Sequence, residues 1–295
     1  MIENPRLPLS TIAEKHSARP HKTEEDQNLI EGKGHHVSDI SMTSTGYESA
    51  LLDQRPEPVS IIDVEPQTEK THTLILSDLH LGSEVSRAHR ILDLLKSYEF
   101  KRLIILGDAF DDTRFERLKR SHFKVLSYIN GLSSPKKDIE VIWIAGNHDG
   151  PFLNVVSTML GVKIFDEYEF TVGEKSYLAI HGHQFDGWME NYPRVSVWAN
   201  RFYQAIQRRE SNTQRFSRYL KRKSKTWLKC SEHIANEAVK YAQKKGVDGV
   251  LCGHTHFPVH KPDHEGVEYL NTGCWTDIPS TFVTIDADGA KLHSV

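Results

Sequence analysis

The stretch His72-Thr73-Leu74-Ile75-Leu76-Ser77-Asp78-Leu79-His80-Leu81-Gly82 decides the fold. Its first half is a short apolar run of the length and composition of a buried strand. Its second half releases an aspartate and a histidine, two residues apart, where the chain leaves that strand. Ligands gather at such strand ends in α/β proteins. The same grammar recurs twice downstream, in RLIILGDAFDD at 102–112 and IEVIWIAGNHDG at 139–150. Between the runs lie helical stripes, Val85, His89, Leu92 and Leu95 first, then Leu118, His122, Val125 and Ile129. Strand and helix alternate, which predicts an α/β protein with mixed β-sheets covered by helices.

Working outward, further strands are expected at 176–180, 248–253, 268–273 and 281–286, and no internal repeat is visible. The interval from about 187 to 246 breaks the strand rhythm. Val195, Trp198, Phe202 and Ala205 form one helical stripe, and Phe216, Leu220, Trp227, Ile234, Ala238 and Tyr241 another. This predicts a helical insertion capping the sheet. Residues 1–70 hold 7 basic and 13 acidic residues, six prolines and no sustained apolar period, so they read as a disordered or loosely attached extension of a domain spanning 71–295.

The chain has 295 residues, 38% hydrophobic and 26% charged, which excludes a collagen, a coiled coil and a wholly disordered protein. A formal net charge of -3 leaves bulk charge no role in attracting nucleic acid. Cys230, Cys252 and Cys274 are widely spaced, without a CxxC pair, and read as reduced thiols of a cytoplasmic protein. No window has the apolar length of a membrane span.

Five strand ends carry the chemistry. To Asp78-Leu79-His80 are added Gly107-Asp108-Ala109-Phe110-Asp111, Gly146-Asn147-His148-Asp149, His181-Gly182-His183 and Gly253-His254-Thr255-His256. Packing does not demand this convergence. Carboxylate, imidazole and amide oxygen without thiolate suit divalent Mn²⁺, Fe²⁺ or Zn²⁺. Seven ligands exceed the need of one ion. Two ions about 3.5–4 Å apart, sharing a carboxylate and a water, serve in-line displacement at phosphorus. Of His181 and His183, the former directly continues its strand and is the favoured ligand. Asp111 reads as a loop charge, and His72, His89, His122, His233, His260, His264 and His293 as surface or structural residues.

In this order, the five motifs resemble those of the calcineurin-like metallophosphoesterases, over about residues 75–295. The resemblance implies that family's layered fold and two divalent metal ions, with Mn²⁺ favoured over Fe²⁺ or Zn²⁺. It implies Asp78, His80 and His256 on one metal, Asn147, His181 and His254 on the other, and Asp108 bridging. His148 would contact the scissile phosphate or protonate the leaving oxygen, held by Asp149. HGHQFD at 181–186, VDGVLCGHTH at 247–256 and YLNTGCW at 269–275 are similar to the UDP-2,3-diacylglucosamine diphosphatase-like branch, whose substrate is a nucleotide-linked lipid.

The predicted cap adds a physical cue, since residues 194–229 contain eleven basic residues and the single acid Glu210. Arg215, Arg218, Arg222, Lys225 and Lys229 step by three or four, and on one helix would form a cationic stripe. Such a stripe fits a substrate phosphate, an anionic membrane touched from the cytoplasmic side, or a nucleic-acid backbone. The expected activity is hydrolysis of a phosphoanhydride or phosphodiester. A nuclease or cyclic-nucleotide phosphodiesterase, or a scaffold without catalysis, are the alternatives.

Overall fold

The computed structural model describes residues 68–150, 153–187 and 224–295, with 206 and 209. Its elements, in chain order, are β1 (Glu69–Leu76), α1 (Ala88–Ser97), β2 (Tyr98–Leu106), α2 (Arg120–Leu132), β3 (Glu140–Ile144), α3 (Leu153–Leu160), β4 (Lys163–Phe165), β5 (Glu167–Val172), β6 (Lys175–Ile180), α4 (Lys225–Lys245), β7 (Gly249–Cys252), β8 (Val259–His264), β9 (Val267–Asn271), β10 (Thr281–Asp286) and β11 (Gly289–Ser294).

Two sheets result. The first has the order β11-β10-β1-β2-β3-β4, parallel from β1 to β4 and antiparallel at β10 and β11. The second has the order β5-β6-β7-β9-β8, parallel across β6, β7 and β9 and antiparallel at both edges.

The apolar runs are continuous because both faces of each central strand are buried. Side chains alternate across a strand. In the first sheet Leu74, Leu76, Leu103, Ile105 and Trp143 pack outward with residues of α1 and α2. The intervening Ile75, Ile104, Leu106, Ile142 and Ile144 meet Tyr177, Ala179, Leu251 and Leu270 of the second sheet. Leu178, Ile180, Val250 and Cys252 pack on the other side against Ala235, Ala238, Val239 and Ala242 of α4. The layers are therefore helix, sheet, sheet, helix.

Several expectations need correction. The buried stripe of α1 is Ala88, Ile91, Leu94 and Leu95, one register away from Val85, His89 and Leu92, because the helix starts only at Ala88. Four strands were missed. β4 has three residues, β5 is half-exposed, and β8 and β11 are polar edge strands without an apolar run. The C-terminal third of the expected cap, α4, is an integral layer whose apolar stripe covers the second sheet.

The cationic stripe is also interrupted. Ser224 has extended backbone and its side chain accepts a hydrogen bond from the Trp227 amide, so α4 begins at Lys225 and a single helix does not carry the whole stripe. Arg215, Arg218 and Arg222 lie outside the described residues, as do residues 1–67. β1 already pairs with β2 from Glu69, two residues before the expected domain start.

Ile104 is fully buried between the sheets. Replacing it with Ala should lower the unfolding free energy by about 2–5 kcal/mol, read from urea denaturation of the cation-free protein. An unchanged midpoint would mean that the sheets do not close on one another there.

Candidate metal centre

At the C-terminal ends of β1, β2 and β7 the backbone enters a conformation that ordinary side chains avoid. Asp78, His80, Asp108, His254 and His256 have φ of 50, 44, 49, 62 and 54°, and Glu265 is the one other non-glycine residue with positive φ among the described residues. A left-handed backbone costs of order 1–3 kcal/mol per residue and persists only where its surroundings over-determine it.

The surroundings do so here. The amides of Asp78, His80 and Leu81 donate to the carbonyls of Gly107, Asp108 and Ala109, at 3.0, 3.0 and 2.8 Å. The Trp275 amide donates to the Asp78 carbonyl at 3.0 Å, and the His254 amide to Asp78 Oδ2 at 3.0 Å. Space is equally tight. A Cβ on Gly253 would come within 2.5 Å of Asp78 Oδ2, and one on Gly146 within 2.1 Å of the Asp108 nitrogen. The glycines of the motifs are there to let neighbouring loops touch.

Two groups of ligand-type side chains result, Asp78 with His80 and His256, and Asp108 with His181 and His254; within each group the ligand atoms lie within 4.8 Å of one another. Each group draws on both sheets, Asp78, His80 and Asp108 from the first and His181, His254 and His256 from the second. In the first group His80 Nε2 is 3.0 Å from His256 Nε2, and Asp78 Oδ1 is 3.1 Å from His256 Nε2 and 3.9 Å from His80 Nε2. In the second, Asp108 Oδ2 is 3.3 Å from His181 Nε2, and His254 Nδ1 is 3.1 Å from Asn147 Oδ1.

These separations suit donors placed about 2.0–2.2 Å from a common first-row ion. Asp78 Oδ1 and His181 Nε2 are buried and make no well-formed hydrogen bond, although His256 Nε2 and Asp108 Oδ2 stand 3.1 and 3.3 Å away, so each points into the space its group encloses. The residues present therefore fit divalent cations.

The outward-facing nitrogens of His181 and His254 are hydrogen-bonded, and that of His80 faces a carboxylate beyond hydrogen-bond distance. His181 Nδ1 donates to the Leu106 carbonyl at 2.9 Å. His80 Nδ1 faces Asp111 Oδ1 at 3.6 Å, and the other Asp111 oxygen pairs with Arg117 at 2.7 Å. His254 Nε2 meets Asp186 Oδ2 at 2.9 Å. Such outer partners fix which nitrogen points inward. Asp111 is thus no loop charge. Asp186 was missed, although HGHQFD contains it, because its contact with His254 spans 68 residues.

Electrostatics follow from this crowding. Burial opposes a proton on His181, yet the Asp108 carboxylate beside it raises its pKa to about 9. His256 is likewise raised well above its usual value, against burial, with Cys274 and Asp78 contributing. Burial and the neighbouring His256 and His148 push His80 down to about 3. Burial, followed by His181 and His254, lowers His183 to about 4. Asp108 is held well below the carboxylate range by His181, His148 and His80, which together outweigh burial.

The structure places His148 at the mouth of the centre. Its ring stands edge-on to His80, with centroids 5.2 Å apart, and its Nε2 lies 4.0 Å from Asp108 Oδ2. Nδ1 donates to the Asp111 carbonyl at 2.7 Å. Asp149 does not hold this ring. Its carboxylate accepts from the Phe110 and Gly146 amides at 3.1 and 3.0 Å and from Trp143 Nε1 at 3.4 Å, bracing two loops from beneath, because its side chain points into the protein. His183 sits beside His181, with ring centroids 5.4 Å apart, and is not part of either ligand group. Lys225 is exposed on the first turn of α4.

The calcineurin-like phosphoesterase family model matches residues 71–258, and the chain belongs to that family. It is accordingly a metal-dependent phosphoester hydrolase by class. No curated protein matches the chain. Among solved structures, it is similar to an archaeal phosphodiesterase at 15% identity, covering 76% of this chain and 99% of that one with a TM-score of 0.43. Vacuolar protein sorting 29 of Cryptosporidium parvum gives 14% identity, 76% and 95% coverage and a TM-score of 0.40. A predicted phosphoesterase of Streptococcus pneumoniae gives 13%, 76% and 98%, and 0.34. No helix among the described residues is long and apolar enough to cross a membrane.

Two outcomes are expected. Gly253→Ala should displace Asp78 and reduce metal occupancy of the first group, measured by elemental analysis after gel filtration; full occupancy would refute the close-packing argument. In chelator, a proton held by His181 in the fold stabilises it below the ordinary value of 6.5, and that contribution is lost as pH rises through about 9. The melting temperature should therefore fall between these pH values, and added Mn²⁺ should raise it more at pH 9 than at pH 6.5.

Proposed function

We propose that the chain hydrolyses a phosphoanhydride or phosphodiester with two divalent cations, Mn²⁺ first among them. The supporting observation is the convergence of Asp78, His80 and His256 beside Asp108, His181 and His254, with a buried polar atom lacking a well-formed hydrogen bond in each group. When bound, such ions supply an activated water and neutralise charge on the phosphoryl oxygens.

The protein's own groups do the rest. Asp108 lies among His181, His148 and His80, between the two sets, and is the residue proposed to be shared. Asn147 completes the second set through its amide oxygen, 3.1 Å from His254 Nδ1. His148 gives Nδ1–H to a carbonyl, which leaves Nε2 facing the centre, able to carry a proton to a leaving oxygen. Asp149 acts only by holding the loop that bears His148.

The proposed substrate class is a nucleotide-diphosphate-linked lipid resembling UDP-2,3-diacylglucosamine. Its support is the resemblance in 181–186, 247–256 and 269–275 and the cationic residues of 194–229, including Arg215, Arg218, Arg222 and Lys225. On this reading those cations meet the diphosphate or an anionic membrane surface, and the protein works in the cytoplasm. A nucleic-acid chain would use the same cations differently, because a ligand with many phosphates gives a steep salt dependence.

The test is hydrolysis by the Mn²⁺-loaded protein of UDP-diacylglucosamine, nucleotide diphosphates, bis-p-nitrophenyl phosphate, and short DNA and RNA. Preference for the lipid with a shallow salt slope supports the substrate class; preference for DNA or RNA replaces it with a nuclease. No turnover by a two-metal protein would leave a binding scaffold. Asp108→Ala should abolish turnover and reduce metal content. His148→Ala should keep both ions and lose about 10²- to 10⁴-fold in kcat. Loss of metal in the His148 variant would make that residue a ligand instead.

A further inference from the structure

His254 is gripped from both sides. Nδ1 faces Asn147 Oδ1 at 3.1 Å, and Nε2 faces Asp186 Oδ2 at 2.9 Å, with the His254 and Asp186 side chains each only 7% exposed. A carboxylate accepts and cannot donate, so the proton of the imidazole belongs on Nε2. Nδ1 is then left with its lone pair turned toward an amide oxygen that also carries lone pairs. Two acceptors 3.1 Å apart repel one another unless a proton or a metal cation lies between them. Asp186 thus turns the pair His254 and Asn147 into a site whose two lone pairs a bound cation can take up in place of a proton.

The three other inward-facing imidazoles are held differently. His181 gives Nδ1 to a neutral backbone carbonyl, His80 faces Asp111 at 3.6 Å, beyond a hydrogen bond, and His256 lies beside the Cys274 thiol. Unlike His181 and His80, His254 has a carboxylate within hydrogen-bond distance of its outer nitrogen. A carboxylate there raises the donor strength of the ring as well as fixing its tautomer.

Asp186 is itself anchored. It follows the 3-10 turn His183–Phe185, its amide donates to the His183 carbonyl at 3.0 Å, and its Oδ1 lies 3.7 Å from Cys230 Sγ on α4. Trp227 on the same helix donates its indole N–H to the Thr255 carbonyl at 3.0 Å, between His254 and His256. The helix thereby steadies both the ring and the loop that carries it.

We propose that Asp186 is a positioning residue that directs His254 Nδ1 into the second cation set and tunes the affinity of that set alone. The inference rests on the two-cation reading above, and its test is kept apart from it. Wild-type protein, freed of metal, is titrated with Mn²⁺ and, in parallel, with Co²⁺ followed by visible spectroscopy. The ring tautomers of the Zn²⁺-loaded protein are read from ¹⁵N chemical shifts. If the wild type does not bind two ions, the two-cation reading fails before any variant is made.

If it does, Asp186→Ala should weaken one binding event about 10- to 100-fold and leave the other within a few-fold. Asp186→Asn keeps shape and an acceptor oxygen but loses the charge, and should show a smaller loss at the same event. It also serves as the measurement should the alanine variant not fold. Cys230→Ser should leave both affinities near wild type, because the thiol touches the carboxylate and not the ring. Wild-type affinities, Co²⁺ spectrum and ¹⁵N shifts in a folded Asp186 variant would overturn the proposal, as would equal weakening of both events.

Discussion

The arrangement depends on one constraint: five ligand-type residues must hold a left-handed backbone while their side chains share a buried, water-poor space. Neither half of that requirement is favourable alone. Crowded lone pairs repel, and the backbone conformation is strained. Adjacent loops meet the cost jointly, Asp78 receiving the His254 amide on its side chain while its own carbonyl receives Trp275. The parallel core strands put those loops side by side, and the small residues Gly146 and Gly253 let them approach. Nearby carboxylates favour a proton on His181 and His256 in the cation-free centre, a stand-in for the positive charge the site is built around.

Much of this was legible in the sequence because it is local. A strand buried on both faces announces itself as a continuous apolar run, as in LIL at 74–76 and LIIL at 103–106, and the residues just beyond carry the chemistry. Motif order then placed Asp78, Asp108, Asn147, His181 and His254 at successive strand ends. What stayed hidden is relational. Asp111 and Asp186 look like any loop acids until the fold sets them behind His80 and His254. Asp149 looks like a partner of its neighbour His148, but consecutive side chains in a turn diverge, and this one turns inward to Trp143 and two amides. The polar edges β8 and β11 bury too little to leave a periodic trace.

The α4 helix shows how an apparent insertion can belong to the core. Its residues Ala235, Ala238, Val239 and Ala242 cover the second sheet, which would otherwise expose Leu178, Ile180 and Val250. Its first turns do a different task, bringing Trp227 and Cys230 to the loop of His254 and to Asp186. One helix therefore joins the stability of the second sheet to the precision of the metal centre.

Each ligand group takes residues from both sheets, and this makes a bound cation a suture between two layers that meet elsewhere mainly through apolar contact, with a few hydrogen bonds such as Tyr168 to Glu140. A ligand that favours the assembled state adds to its stability in proportion to the logarithm of its free concentration. The cohesion of the sandwich is consequently set in part by the cell's supply of divalent metal. Under metal starvation the layers would part more often, exposing Ile104 and its neighbours to proteases, so that scarcity would lower the amount of enzyme as well as its activity.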